Sequence, residues 1–371
     1  MSRTELSSGP AAHIEQLESR CLFAAAATHA LLPHLTATPT QSVSTVPASG
    51  DENPYGVAFV PKGFAKGGPL AAGDILVSNF NDSGNNQGSG TTIMNVTPAG
   101  QASVFFQGPT GLGLTTALGV LKKGFVIVGS APTVGGQGQT EQPPGSLLIL
   151  DRNGNIAKTL TDPNLLDGPW DLTVVDQGSK AIVFVSNVLN GTVSRINLSI
   201  PGKGTSVTVQ SMTQIAGGYA FRTDPSALVL GPTGLAYDAS RKVLYVASTA
   251  DNEVFAVSHP ITSGTSTTTG SVVYNDDVHL RGPLGLAFAP NGDLIVANGD
   301  AITPATSNNT NSGIVEFTRT GTFVSEFALF PQPDAAFGIA IDTSGSTINF
   351  AAVNDDNNML EVWSIAHRVV F

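Results

Sequence analysis

Charge is what this sequence has least of. Lys, Arg, Asp and Glu make up 12% of 371 residues, about half the usual share. Basic residues are the scarcer sign, 17 against 28 acidic, for a net charge of −11. No basic run occurs anywhere, and a chain this acidic repels a polyphosphate, which excludes nucleic acid as a partner. A single cysteine, Cys21, excludes an intramolecular disulfide, although a core of this size does not need one. No apolar run approaches the roughly 18 residues of a membrane span. Of six histidines, His13, His29 and His34 lie in the amino-terminal tail, leaving little imidazole for acid–base or metal chemistry. The Glu, Lys and Arg that cover helix surfaces are thin throughout, so a helical fold is excluded as well.

In their place stand 41 Gly, 23 Pro and many Ser, Thr, Asn and Gln, the material of strands and turns. They are arranged as a repeat. Asn53-Pro54-Tyr55-Gly56-Val57-Ala58-Phe59, Gly231-Pro232-Thr233-Gly234-Leu235-Ala236-Tyr237 and Gly282-Pro283-Leu284-Gly285-Leu286-Ala287-Phe288 are the clearest copies. Looser ones fall at Leu118-Gly119-Val120, Gly168-Pro169-Trp170-Asp171-Leu172 and Phe337-Gly338-Ile339-Ala340-Ile341. Positions 56, 119, 171, 234, 285 and 338 thus recur at about 56 residues, a little above the blade lengths of propellers. Each repeat divides into four short strands, for example Thr233–Tyr237, Val243–Ala247, Glu253–Val257 and Ser271–Tyr274. The expected fold is therefore all-β: a six-bladed β-propeller with four-stranded antiparallel blades over residues 51–371. The last blade is expected to close within itself, Met359–Ile365 and Arg368–Phe371 supplying its outer strands.

The small-residue-rich first strand and the second strand ending in a polar turn resemble the NHL-repeat propellers over residues 53–365, which supports the fold and leaves the activity open. Trp170-Asp171 opens an inner strand, the wrong place for the WD dipeptide of WD40 blades. Residues 1–50 form a targeting-like segment and flexible linker. Leu17-Glu18-Ser19-Arg20-Cys21-Leu22-Phe23-Ala24 resembles the LEPR-XLL segment of large bacterial surface and secreted proteins, with Ser19 at the usual proline. That resemblance implies a secreted or cell-surface bacterial protein. Residues 28–50, rich in Thr, Ser, Pro and Ala, read as linker, and residues 1–34 are expected not to pack on the ring.

In an antiparallel blade the start of strand one and the end of strand two share an edge. The residues just after strand two are Asn79, Ser130, Asn187, Ser248, Asn298 and Asn354. Four places ahead of the repeat register stand Glu52, Thr115, Asp167, Leu230, Arg281 and Asp334. Both sets are expected to ring one channel mouth as a polar bowl, although short amides and hydroxyls also serve strand ends as turn chemistry. The candidate binding residues are the Asn/Ser set with Arg281 and Asp334. Long loops at 80–90, 131–145 and 299–312 share this edge, making it the expected functional face.

The fold also resembles calcium-dependent gluconolactonase-like hydrolases, which bind their ion through a Glu, an Asn and an Asp. Here the Asn position reads Pro232-Thr233-Gly234 and the Asp position Ser248. Glu52 and Asp171 are the two oxygen ligands that remain for a calcium ion. The Trp-Phe-Thr-Glu strand of streptogramin lyases is replaced by Val77-Ser78-Asn79 and its counterparts, and of the histidines only His279 approaches the mouth. The loop from Asn79 has Gly90 where an EF-hand needs its bidentate Glu. The expected function is a non-catalytic binding module for a protein or glycan on the long-loop face, requiring no cofactor; a monomer is compatible with this, and the sequence leaves the oligomeric state open. The rival is a calcium-dependent hydrolase or lyase at the channel mouth.

Overall fold

A computed structural model describes residues 29–133, 143–224, 227–299, 313–329 and 335–367. Six four-stranded antiparallel sheets stand around one axis, joined by a two-stranded hairpin, Arg222–Asp224 with Leu228–Leu230. Blade four comprises Pro232–Asp238, Val243–Ser248, Glu253–Ser258 and Ser271–Tyr274, within a residue of the sequence expectation. The second strand Ile75–Asn81 is buried at every position, while the outer Ala102–Gln107 is mostly exposed. This gradient follows from radial packing, since an inner strand has a neighbouring blade against each face.

The repeat register is set by contact between blades. Gly56, Gly234, Gly285 and Gly338 hold equivalent places, each one residue before the partner of a second-strand Val or Ala. A Cβ on Gly234 would lie 2.1 Å from Leu284 O, and one on Gly338 2.2 Å from Tyr55 O. Glycine is required there by close approach to the next blade's backbone. Blade three has Asp171 at this place, opposite Ser186. In blade two Leu118 pairs with Val128 as Val57 does with Val77, so the equivalent residue is Ala117 and not Gly119. The inner strand of blade two carries two extra residues between Leu114 and Leu118, a longer bulge that displaces its glycine from the repeat.

Closure differs from expectation. The outermost strand of blade six is Gln41–Ser44, from the amino-terminal segment, paired antiparallel with Val362–Met359. Arg368–Phe371, assigned to that place from sequence, lie outside the described residues. The supposed linker is a strap with specific anchors. Leu31 and Leu32 are fully buried; their N–H groups donate to Glu316 Oε1 and Oε2, each at 2.9 Å. Trp363 Nε1 donates to Thr36 O at 2.8 Å, and Asn79 Nδ2 to Thr45 O at 2.9 Å. Pairing the first and last parts of the chain in one sheet covers an edge that would otherwise be open. The ring therefore begins near residue 29 rather than 51, and residues 29–34 pack on it.

Candidate functional site

The channel mouth at the long-loop edge is closed by aromatic side chains. In five blades the inner strand bulges next to the residue that faces the end of strand two, and a bulge re-aims its side chain. The bulged residues of blades one, three and six are Tyr55, Trp170 and Phe337, all buried. Tyr55 stacks between Phe80, at 4.5 Å, and Phe337, at 4.4 Å. Trp170 meets Tyr55 and Phe80 edge-on at 6.0 and 5.4 Å. Leu284 of blade five and Val229 of the inserted hairpin complete the same cluster. An apolar plug thus occupies the position expected of a polar bowl.

The predicted ring of strand-two residues sits behind this plug as part of the blades. Asn79, Ser130, Asn187, Ser248, Asn298 and Asn354 are all buried. Asn187 Nδ2 donates to Thr192 Oγ1 and Ser194 Oγ at 3.1 Å, Ser130 Oγ to Leu112 O, and Ser248 Oγ to Asp251 Oδ2 at 2.6 Å. Asn298 Oδ1 accepts the Arg281 N–H at 3.1 Å while its Nδ2 donates to His279 O. Arg281 is itself buried. Among the described residues the Asn354 amide has no partner at either end, the kind of group that buried water meets. These are strand-end contacts, as the turn-chemistry reading has it.

Of the second set, Thr115 is not equivalent to Glu52, because the register of blade two is shifted. It is buried in the bulge and donates to Pro169 O of blade three at 2.8 Å. Asp167 is half-buried, and burial pushes its carboxyl up. Asp334 lies outside the described residues, as do most of loops 131–145 and 299–312. The loop at 80–90 is shaped by its own contacts, Asp82 Oδ1 accepting the N–H groups of Gly84 and Asn86. His279 lies toward the rim, its Nδ1 2.6 Å from Asp276 Oδ2 and its ring stacked on Phe323 of an outer strand.

Glu52 and Asp171 stand at different depths. Asp171 is level with Gly56 and Glu52 is four residues earlier, a separation on the order of 10 Å along a strand, with Tyr55 between. Among the described residues no group of three or more His, Cys, Asp or Glu could hold a metal ion.

Asp171 instead belongs to the channel interior. Beneath the plug is a cavity of about 150 Å³ bordered by inner strands of all six blades, among them Val57, Thr116, Asp171, Leu235, Gly285 and Gly338. It shares Val57, Leu118, Leu172 and Thr173 with a second space of about 250 Å³ that runs on to Phe59, Val120, Val174 and Ile341. The channel is thus shut at the long-loop edge and continues toward the hairpin-turn face. Asp171 Oδ1 accepts the Leu172 N–H at 2.7 Å, and Oδ2 accepts the Leu235 N–H of blade four at 3.2 Å. Enclosure by protein outweighs these bonds and pushes the carboxyl up to about 8. Sequence reasoning chose Asp171 for a metal. The stronger signal was a carboxylate at a place otherwise held by Gly or Ala.

Comparison with solved structures supports the same architecture. The chain is similar to a luciferin-regenerating enzyme, with a TM-score of 0.50 and 11% identity over 88% of this chain and 95% of that one. It also matches a chain of a nidogen/laminin complex, with a TM-score of 0.44 and 12% identity over 76% and 92% of the two chains. At such identity the likeness concerns the fold alone. No protein-family model and no curated protein matches the sequence. Among the described residues no helix is long and apolar enough to cross a membrane.

Proposed function

We propose that this propeller is a non-catalytic binding module that presents its long-loop face to a protein or a glycan. The plug of Tyr55, Phe80, Trp170 and Phe337 carries this reading, because it fills the channel mouth, where a small substrate would need a concave pocket. Around it lie the ordered loop at 80–90 and the hairpin at 222–230, next to which Phe221 is 52% exposed. Exposed aromatics near a rigid scaffold are the usual anchors of protein and carbohydrate contacts. The rival reading, a calcium-dependent hydrolase or lyase, rests on Asp171. Among the described residues no second titratable group lines its cavity, so acid–base chemistry there would rest on one carboxyl. The resemblances to NHL-repeat propellers and to LEPR-XLL leaders favour a secreted or cell-surface bacterial protein.

Glycan and peptide arrays probed with the full chain test this. Binding should be weakened by Phe221→Ala and not by Lys62→Ala on the opposite face. Turnover of a lactone or an eliminable ester that disappears in Asp171→Asn would replace the binding reading with the enzymatic one.

A further inference from the structure

We propose that the channel beneath the plug is a binding site for a slender primary ammonium ion, entered from the hairpin-turn face with its head group against Asp171. The site is distinct from the long-loop face and does not depend on what that face binds.

The charge argument comes first. Among the described residues Asp171 is the sole ionisable one bordering either part of the channel, and it forms no salt bridge with any of them. The other residues around it are Val57, Thr116, Leu118, Leu172, Thr173, Leu235, Leu286 and Ile339 with two glycines. No blade therefore brings a titratable or charged group to face it. A carboxyl enclosed without a cation is held neutral at high cost to its charged form, and an entering cation relieves that cost. The net charge of −11 draws cations toward the molecule.

Donor geometry selects the kind of cation. A carboxylate offers about four acceptor sites, and the N–H groups of Leu172 and Leu235 occupy two. Every inner strand ends its sheet, so its unpaired edge of backbone carbonyls and amides faces the channel. An ammonium group needs only three acceptors, which one carboxylate and such carbonyls can supply. A calcium ion needs six to eight oxygens, several of them normally carboxylate, and one carboxylate falls short.

The remaining blades explain why the site occurs once. Four of the equivalent positions are glycines and one is Ala117, at least three of the glycines pressed against a carbonyl of the next blade. At the junction of blades three and four, Asp171 places a side chain where the others have direct backbone contact.

The test is thermal unfolding and calorimetric titration of the full chain with ethylammonium chloride, with sodium and tetramethylammonium chloride at matched ionic strength as controls. Ethylammonium should raise the midpoint by mass action and the controls should not. Because the carboxyl is pushed up to about 8, apparent affinity should rise about tenfold per pH unit from pH 6 and level off above 8. Asp171→Asn should abolish binding. Asp171→Gly, the residue of four other blades, should do the same and guards against a folding defect in the first variant. Stabilisation that persists in either variant, matches the controls, is exceeded by calcium, or is missing in the wild type overturns the proposal.

Discussion

The N–H of Leu31 lies 2.9 Å from Glu316 Oε1 across 285 residues of sequence. Glu316 sits on the third strand of blade five with no exposed surface, and burial pushes its carboxyl up against the hydrogen bonds of Leu32 and Leu31. It accepts the N–H groups of Leu31 and Leu32 together, so this end of the strap is fastened to the ring through one side chain.

Glu316→Ala should destabilise the fold by about 2–3 kcal/mol, because two buried N–H groups lose a charged acceptor at once. Urea unfolding measures this. Deleting residues 29–44 should cost more than the point substitution, since the outer strand of blade six is lost with the anchor.

Asp171 makes stability depend on pH in an unusual sense. Its folded carboxyl titrates at about 8 and the unfolded one near the ordinary 3.8. Between these values unfolding releases a proton, so this group favours the folded state most below pH 4 and its contribution falls steadily up to pH 8. Asp171→Asn should remove that slope, and its advantage in thermal midpoint over the wild type should widen from pH 5 to pH 8. A parallel pair of curves would contradict the assignment.

The plug should be among the most sensitive places in the core. Trp170→Ala removes a ring that meets both Tyr55 and Phe80 and should cost roughly 3–5 kcal/mol. Near-ultraviolet circular dichroism should change with it, since the aromatic contacts concentrate there.

Gly338→Ala tests the spacing of blades. Its Cβ would fall 2.2 Å from Tyr55 O, so blades six and one must move apart, at a cost on the order of 1–3 kcal/mol. Gly345→Ala, in a turn where an added Cβ meets nothing closer than 3.9 Å, should be nearly neutral by the same measurement.

Much of this was legible beforehand, and the exceptions have physical causes. The glycine register locates the inner strands because blade-to-blade contact demands it, and it slips only where the blade-two bulge carries extra residues. The plug was visible as Tyr55, Trp170 and Phe337, each one place before the register position. Reading it required knowing that the inner strand bulges there, which residue type alone does not reveal. Strand-two amides were expected at a wet mouth. They are buried because that mouth is filled. The strap was hidden by composition: Gln41-Ser42-Val43-Ser44 is short and polar enough to pass for linker, and its partner strand lies more than 300 residues away. Glu316, a carboxylate within Gly313-Ile314-Val315-Glu316-Phe317, was its one distant signal.

The closing strand also sets a timetable. Gln41–Ser44 is made more than 300 residues before its partner, Met359–Ala366. Blades one to five can each assemble from contiguous sequence as they emerge, but the sixth has to wait for strands separated by more than 300 residues. Until then one edge of the structure stays open and able to pair wrongly. Such a ring locks in one step that needs both strands, and a chain passing unfolded through a membrane pore would have its lock withheld until both had crossed.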